Sequence, residues 1–212
     1  MVDPLRACDL SQYLEFLALE NSASGIQQFE PAIVPGLLQQ EDYARAVLQA
    51  FAGGATQQQI DEWVELRMRR QEELFERPDP PQMVFLMDEA VLHRWVGGSD
   101  VMRRQVLYLG ELAAAENNVT IEVVPFRAGA HPGMRGPFVI LEFADDLVGD
   151  ILFLENSRGD MIIREEELEI APARHALARL QELVTQEDIK TVIKDALSRI
   201  EGSDSGARDG RR

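Results

Sequence analysis

The sequence lacks a second cysteine, since Cys8 is the only one among its 212 residues. A single thiol forms neither an internal disulfide nor a multi-cysteine zinc site, and it fits a reducing compartment. No apolar run approaches the roughly 18 residues that a membrane-spanning helix needs. The start of the chain carries acids where a signal peptide has a basic segment and an apolar core. These absences predict a cytoplasmic protein that is not associated with a membrane.

Basic residues are also few. The 21 Lys and Arg stand against 37 Asp and Glu, and the formal net charge is −16. Such a surface repels phosphate backbones, whereas proteins that bind nucleic acids normally carry a basic patch. We therefore expect no direct nucleic-acid binding by this chain. The acidic surface serves solubility alone, or it binds a basic partner protein with an affinity that falls as the salt concentration rises. Composition leaves both interpretations open.

Motifs of known catalytic chemistry are missing as well. The sequence has no glycine-rich phosphate loop, no Gly-x-Ser-x-Gly elbow and no His-Glu-x-x-His helix. Its three histidines, His93, His131 and His175, are far apart and have no ligand spacing. His93 is better interpreted as a packed or capping residue, and His175 as a surface residue. We expect no metal and no cofactor. These absences favour a non-enzymatic protein over an enzyme.

The first part of the chain, residues 1–80, is predicted to be helical. The longest helix spans 56–76 and opens with Thr56 and Gln59, the spacing of a capping box. Arg67, Arg69 and Arg70 on this helix are interleaved with acids, which is typical of a solvated helix face. The prolines of segment 77–81 then break the chain and mark an internal boundary.

After this boundary the sequence predicts a sheet with flanking helices over 81–201, in one compact domain with 1–80. A period of two over 119–163 indicates neighbouring antiparallel strands. The predicted strands are 83–87, 119–124, 138–143, 151–154 and 161–163, with helices at 88–96 and 99–116. The fold class is therefore α+β, with N-terminal helices, a central mostly antiparallel sheet of about four to five strands, and C-terminal amphipathic helices.

The C-terminal helices of the predicted fold leave two questions open. Residues 173–200 show apolar side chains at helical spacing, and these pack internally or pair across the axis of a homodimer. Residues 202–212 are polar and contain glycine, and they predict a disordered tail.

A long loop at 125–137 is the most informative candidate for a binding site. It joins two strands that a hairpin normally joins in about two to five residues. Arg127, His131 and Arg135, with the glycine amides, are suited to hold a carboxylate or phosphate of a small ligand. A flexible surface insertion explains the loop equally well.

Two further sets of residues are candidates for chemistry. Glu142 and Glu155 lie near the ends of neighbouring strands, where paired carboxylates shift each other's pKa, although outward-pointing polar residues of alternating strands are the favoured interpretation. An apolar pocket between the sheet and its helices would be lined by Trp95, Tyr108, Phe138 and Phe153.

One family resemblance emerges from the order of the motifs. Its segments are 29–39, 42–46, Arg70-Gln71, 88–92, 96–98, Gln105, Leu109, 123–126, 129–131 and 136–138. Over about residues 10–200 the chain resembles the C-terminal region of Scr- and WhiJ-like regulators, actinobacterial Xre-family proteins sometimes described as antitoxin-like. The resemblance implies a sensor or interaction domain that controls a DNA-binding head and meets a small partner protein. It supplies no catalytic residues.

The chain departs from that family in two respects. The helix-turn-helix that precedes this region in the regulators is absent before Asp9, and Phe153 stands where family members often have tyrosine. The chain is thus a trimmed regulator or a natural stand-alone copy. The first hypothesis is a non-catalytic module that binds a small molecule or a partner protein, including a DNA-binding regulator. The alternative is a copy recruited to specialised metabolism as a small-molecule-binding protein or a cofactor-free enzyme such as a cyclase.

Overall fold

The computed structural model describes residues 10–115, 118–145, 147, 149–155, 160–164, 166–184 and 189–209. In chain order, the elements of these residues are α1 (Leu10–Ser22), β1 (Gly25–Glu30), α2 (Glu41–Phe51), α3 (Gln57–Phe75), β2 (Gln82–Asp88), α4 (Ala90–His93), α5 (Ser99–Ala114), β3 (Val119–Val124), β4 (Phe138–Glu142), β5 (Ile151–Leu154), β6 (Met161–Ile163), α6 (Ala171–Leu183) and α7 (Ile189–Asp209). No helix in the described part of the chain is long and apolar enough to cross a membrane.

The strands form one sheet in the order β3-β2-β1-β4-β5-β6. Strand β2 runs parallel to both β1 and β3, whereas the pairs β1–β4, β4–β5 and β5–β6 are antiparallel. The predicted α+β class is confirmed, and the described sheet is slightly larger than expected and mixed in direction. The predicted last strand at 161–163 is present as β6.

The strand missing from the sequence analysis is β1, and it lies in the centre of the sheet. Its residues are buried on both faces, with Ile26 in one apolar cluster and Phe29 in another. Three of its six residues are Gln or Glu, so neither an apolar run nor a clean alternation marks it. The Gln28 side chain donates to Glu30 Oε1 at 2.9 Å, and this bond satisfies two buried polar groups.

Helices cover both faces of the sheet. The larger cluster takes side chains from α1, α2, α3, α5 and α7, represented by Phe16, Val47, Leu74, Met102 and Ile193. The smaller cluster on the opposite face is closed by α6, through residues such as Leu177 and Leu180. The C-terminal helices thus pack internally on different sides of the sheet.

Two segments differ from their sequence predictions. The predicted helix at 88–96 is reduced to α4, because β2 continues through Asp88 and its ladder with β3 pairs Asp88 with Val124. Helix α7 continues to Asp209 and so includes the first part of the predicted disordered tail, while 210–212 lie outside the described residues.

Helix α3 begins with the predicted capping box. The Gln59 backbone N–H donates to Thr56 Oγ1 at 3.3 Å, and the Thr56 backbone N–H donates to Gln59 Oε1 at 2.9 Å. These bonds satisfy donors that the first turn of a helix leaves without intrahelical partners.

We expect T56A to lower the free energy of unfolding by about 1 kcal/mol, because it removes the oxygen that accepts the Gln59 N–H bond. The matched variant T56S keeps the hydroxyl and should remain within a few tenths of a kcal/mol of the wild type. Urea denaturation of both variants measures the difference. Equal loss in T56A and T56S would show that the threonine methyl, and not the cap, matters here.

Candidate functional site

The loop at 125–137 is folded against the end of β2 and contains two short 3-10 turns, Phe126–Ala128 and Pro132–Arg135. His131 Nε2 lies 3.0 Å from Asp88 Oδ2, and the His131 side chain is only 3% exposed. The loop is therefore held by a buried contact at His131.

The start of the loop is held by the residue after Asp88. The Phe126 backbone N–H donates to Glu89 Oε2 at 2.8 Å, while Glu89 Oε1 lies 3.1 Å from His93 Nε2. The rings of His93 and Phe126 stack with their centroids 5.3 Å apart. Burial acts to raise the pKa of Glu89, but the Phe126 N–H and His93 outweigh it, and the pKa lies below its usual value.

The three polar side chains predicted to hold a ligand in this loop do not share one environment. His131 is buried beside Asp88 and meets the Phe29 ring edge-on, with centroids 5.9 Å apart. Arg127 and Arg135 are exposed. The loop thus packs its histidine inward and turns its arginines outward.

The predicted aromatic pocket is not formed by its four residues. Phe138 pairs with Leu154 in the β4–β5 ladder, so Phe153, one residue earlier, faces the opposite side of the sheet. Phe138 accordingly belongs to the smaller apolar cluster and Phe153 to the larger one. Trp95 is exposed, and Tyr108 is half-buried on α5.

Glu142 and Glu155 do not form a carboxylate pair. The ladder pairs Phe138 with Leu154 and Leu141 with Ile151, which places the two glutamates at opposite ends of the β4–β5 hairpin. Glu142 Oε1 accepts a 2.5 Å hydrogen bond from the Gln27 side chain, so it is half-buried and does not simply point to water. Glu155 lies near enough to Arg70 to interact with it electrostatically.

The structure instead reveals a cleft of about 380 Å³ between α1 and α3, which we call the α1–α3 cleft. Its lining residues are Tyr13, Leu14, Leu17, Ala18, Glu20, Asn21, Trp63, Leu66, Arg67, Arg69, Arg70, Glu73 and Leu74. Most of its wall is apolar, although Leu14 and Leu66 are 54% and 44% exposed. None of these residues was predicted as a site residue.

A buried ion pair joins the two helices at the cleft. Arg70 of α3 donates from Nε and Nη2 to the two carboxylate oxygens of Glu20 on α1, both at 2.6 Å. The Arg70 guanidinium also lies over the Phe16 ring, 5.7 Å from its centroid, and Phe16 stacks on Phe153 at 3.9 Å. Burial acts to lower the pKa of Arg70, but the attraction of Glu20 outweighs it, and the pKa is raised.

A second polar network fixes the proline-containing segment behind the cleft. Arg67 donates to Gln39 Oε1 at 2.7 Å, and the Gln39 amide donates in turn to the Val34 carbonyl oxygen at 2.7 Å. The Gln71 amide donates to the carbonyl oxygens of Gly36 and Gln39 at 2.7 and 2.9 Å. The segment from Val34 to Gln39 is thereby attached to α3.

This network corrects the interpretation of the arginines on α3. Arg67 is only 9% exposed and Arg70 is directed to Glu20, so neither belongs to a solvated face. Only Arg69 behaves as expected, in an exposed pair with Glu65 at 2.8 Å. The sequence signal was present: Arg67 lies at helical spacing from Trp63, Val64 and Leu74, on the buried stripe of α3.

The opposite side of the same segment is fixed by α2 and α5. The Val34 N–H donates to the Tyr43 hydroxyl at 3.1 Å, and burial raises the pKa of Tyr43 to about 12. The Gln105 amide donates to the Leu38 carbonyl oxygen at 2.7 Å, and its Oε1 accepts the Gln40 N–H at 2.7 Å. Several polar residues of the motifs quoted above therefore have a structural role.

The chain belongs to a family of domains that a family model defines. The model of the family described as "Domain of unknown function (DUF5753)" matches residues 13–195. No curated protein and no solved structure matches the chain significantly. Within the described residues, no group of three or more His, Cys, Asp or Glu side chains is arranged to hold a metal ion.

The packing of the loop gives a test of its rigidity. A Cβ on Gly133 would lie 2.3 Å from the Phe29 ring, which is fully buried in the centre of the sheet. We expect G133A to lower the free energy of unfolding by about 1–3 kcal/mol, because the ring has no space to withdraw. Thermal or urea denaturation measures the loss.

Gly53 provides the control for G133A. A Cβ there meets no atom within 4 Å, so G53A should leave the stability nearly unchanged. Wild-type stability in G133A would show that the loop moves away from Phe29 at little cost.

Proposed function

We propose that this chain is the cytoplasmic, non-catalytic sensor domain of an Xre-type transcriptional regulator system, and that its ligand is a small molecule bound in the α1–α3 cleft. The cleft itself is the observation that carries the proposal. Its volume of about 380 Å³ falls within the range of small-molecule sites, and its wall combines an apolar surface with a few fixed polar groups.

The exposed leucines support an apolar ligand. Leu14 on one wall and Leu66 on the other keep about half of their surfaces in water. A ligand that covers both leucines removes their apolar surface from water, which contributes about 25 cal/mol of binding free energy per Å² buried. The networks behind the cleft hold α3 against segment 34–39, so one wall is already ordered before binding.

The position of α1 suggests how binding is transmitted. Helix α1 forms the second wall and is joined to α3 by the Glu20–Arg70 pair. An exposed contact, Arg164 to Glu15 at 2.9 Å, joins it to the chain after β6. A ligand that touches both walls favours one position of α1 over others, and only such differential binding shifts a conformational equilibrium.

The uncharged dye Nile red tests the cleft by its fluorescence in apolar surroundings. We expect the full chain to bind the dye, and we expect L66E to weaken binding about tenfold or more, because the new carboxylate must be desolvated against it. The matched control is L107E, on α5, which replaces an exposed leucine that does not line the cleft.

L107E should bind the dye like the wild type, and circular dichroism should show that both variants are folded. The cleft is not the binding site if the dye fails to bind, or if the two substitutions weaken binding equally.

A further inference from the structure

The α1–α3 cleft gathers three basic side chains in a chain that is acidic as a whole. Arg67, Arg69 and Arg70 line it together with two carboxylates, Glu20 and Glu73. The chain as a whole carries a formal net charge of −16. Because the surrounding surface is acidic, the guanidinium groups of the cleft favour an anionic group there over the rest of the surface.

The partners of these arginines differ in how readily they yield to a ligand. Arg69 is paired with Glu65 on the exposed side of α3, where water screens such a pair and makes it weak. Arg67 donates to the neutral Gln39 amide. Arg70 alone has a bidentate bond to a carboxylate within the cleft, and that carboxylate belongs to the other wall.

The geometry of the Arg70–Glu20 pair matches the chemistry of a ligand carboxylate. The planar guanidinium donates two parallel bonds to one carboxylate, which is the arrangement that arginine forms with organic acids. The Arg70 side chain is 20% exposed while that of Glu20 is 4% exposed. Arg70 lines the cleft, and Glu20 is bonded only to its Nε and Nη2, so an incoming carboxylate can compete for the guanidinium from the cleft.

We propose that the α1–α3 cleft binds an amphipathic organic acid, whose carboxylate competes with Glu20 for Arg70 while its apolar body covers Leu14 and Leu66. This inference rests on the proposed function, because it names the ligand class of the same cleft. Exchange of one carboxylate for another keeps the buried arginine neutralised and releases Glu20. Helix α1 then loses its ion pair to α3, which links ligand charge to helix position.

Two probes of equal chain length separate charge from apolar character. Displacement of Nile red from the full chain at pH 8 is measured with n-dodecanoate and with n-dodecanol. We expect dodecanoate to displace the dye at about tenfold lower concentration, because only the acid pairs with Arg70. Equal potency of the two probes overturns the inference and leaves the cleft as a site for neutral ligands.

The proposed function and this inference fail in different ways. Dye binding that does not depend on Leu66 contradicts the proposed function itself. Dye binding that depends on Leu66 but is displaced better by dodecanol, or by neither probe, contradicts only the organic-acid class.

The variant E20Q tests the exchange of carboxylates directly. Without the Glu20 carboxylate Arg70 loses its bonded counter-charge, so the Tm of E20Q should fall. Dodecanoate restores a carboxylate at this position, and we expect it to raise the Tm of E20Q more than that of the wild type, whereas dodecanol does not. The Kd of E20Q for dodecanoate should be about fivefold or more below that of the wild type, because the Glu20 carboxylate no longer competes for Arg70.

A control and a second variant keep this test decisive. Glu72 is an exposed carboxylate on the same helix that does not line the cleft, so E72Q should respond to dodecanoate like the wild type. If E20Q does not fold, R70K is used, since lysine keeps the charge but loses the bidentate geometry. R70K should lose most of the preference for dodecanoate over dodecanol and still bind Nile red. An unchanged preference in R70K, or equal Tm shifts in E20Q and wild type, overturns the inference.

Discussion

Burial of β1 on both faces is the constraint on which the rest of the structure depends. This strand is parallel to β2 on one side and antiparallel to β4 on the other. It joins β2 and β3 to β4, β5 and β6, so the sheet is continuous only through it. A strand in this position exposes neither face to water, and helices must cover both. Helices α1, α2, α3, α5 and α7 cover one face and α6 covers the other. The sheet is therefore the middle layer of three.

The same constraint accounts for the polar networks near the sheet. The segment that leaves β1 contains two prolines and cannot join a ladder, and its backbone groups would be costly to bury without partners. Gln39, Gln71 and Gln105 supply those partners from three directions. The bonds of Arg67 and Gln71 fix α3 against this segment, and Arg70 is then directed to Glu20 of α1 at the α1–α3 cleft.

The loop at 125–137 and the cleft show how far sequence reasoning reached for the site. The sequence predicts an overlong hairpin connection for the loop, but the strands that it joins, β3 and β4, are not neighbours, because β2 and β1 lie between them. The loop crosses these strands with His131 against Asp88 and Gly133 on Phe29. The cleft lies elsewhere because it is formed by residues far apart in sequence, Glu20 and Arg70. Helical spacing placed Arg70 on the right helix, yet nothing in the sequence showed that a second helix would cover that face.

The sequence by itself determined the α+β class, the capping box of α3, the break at 77–81 and most strands, because local propensity and periodicity act over a few residues. Tertiary structure alone decided that the polar segment Gly25–Glu30 is the central strand, and that Phe138 and Phe153 face opposite sides of the sheet. It also decided that Glu142 and Glu155 lie at opposite ends of a hairpin. Strand register and helix coverage depend on contacts between distant residues, and these satisfy buried polar groups in ways that local patterns do not show.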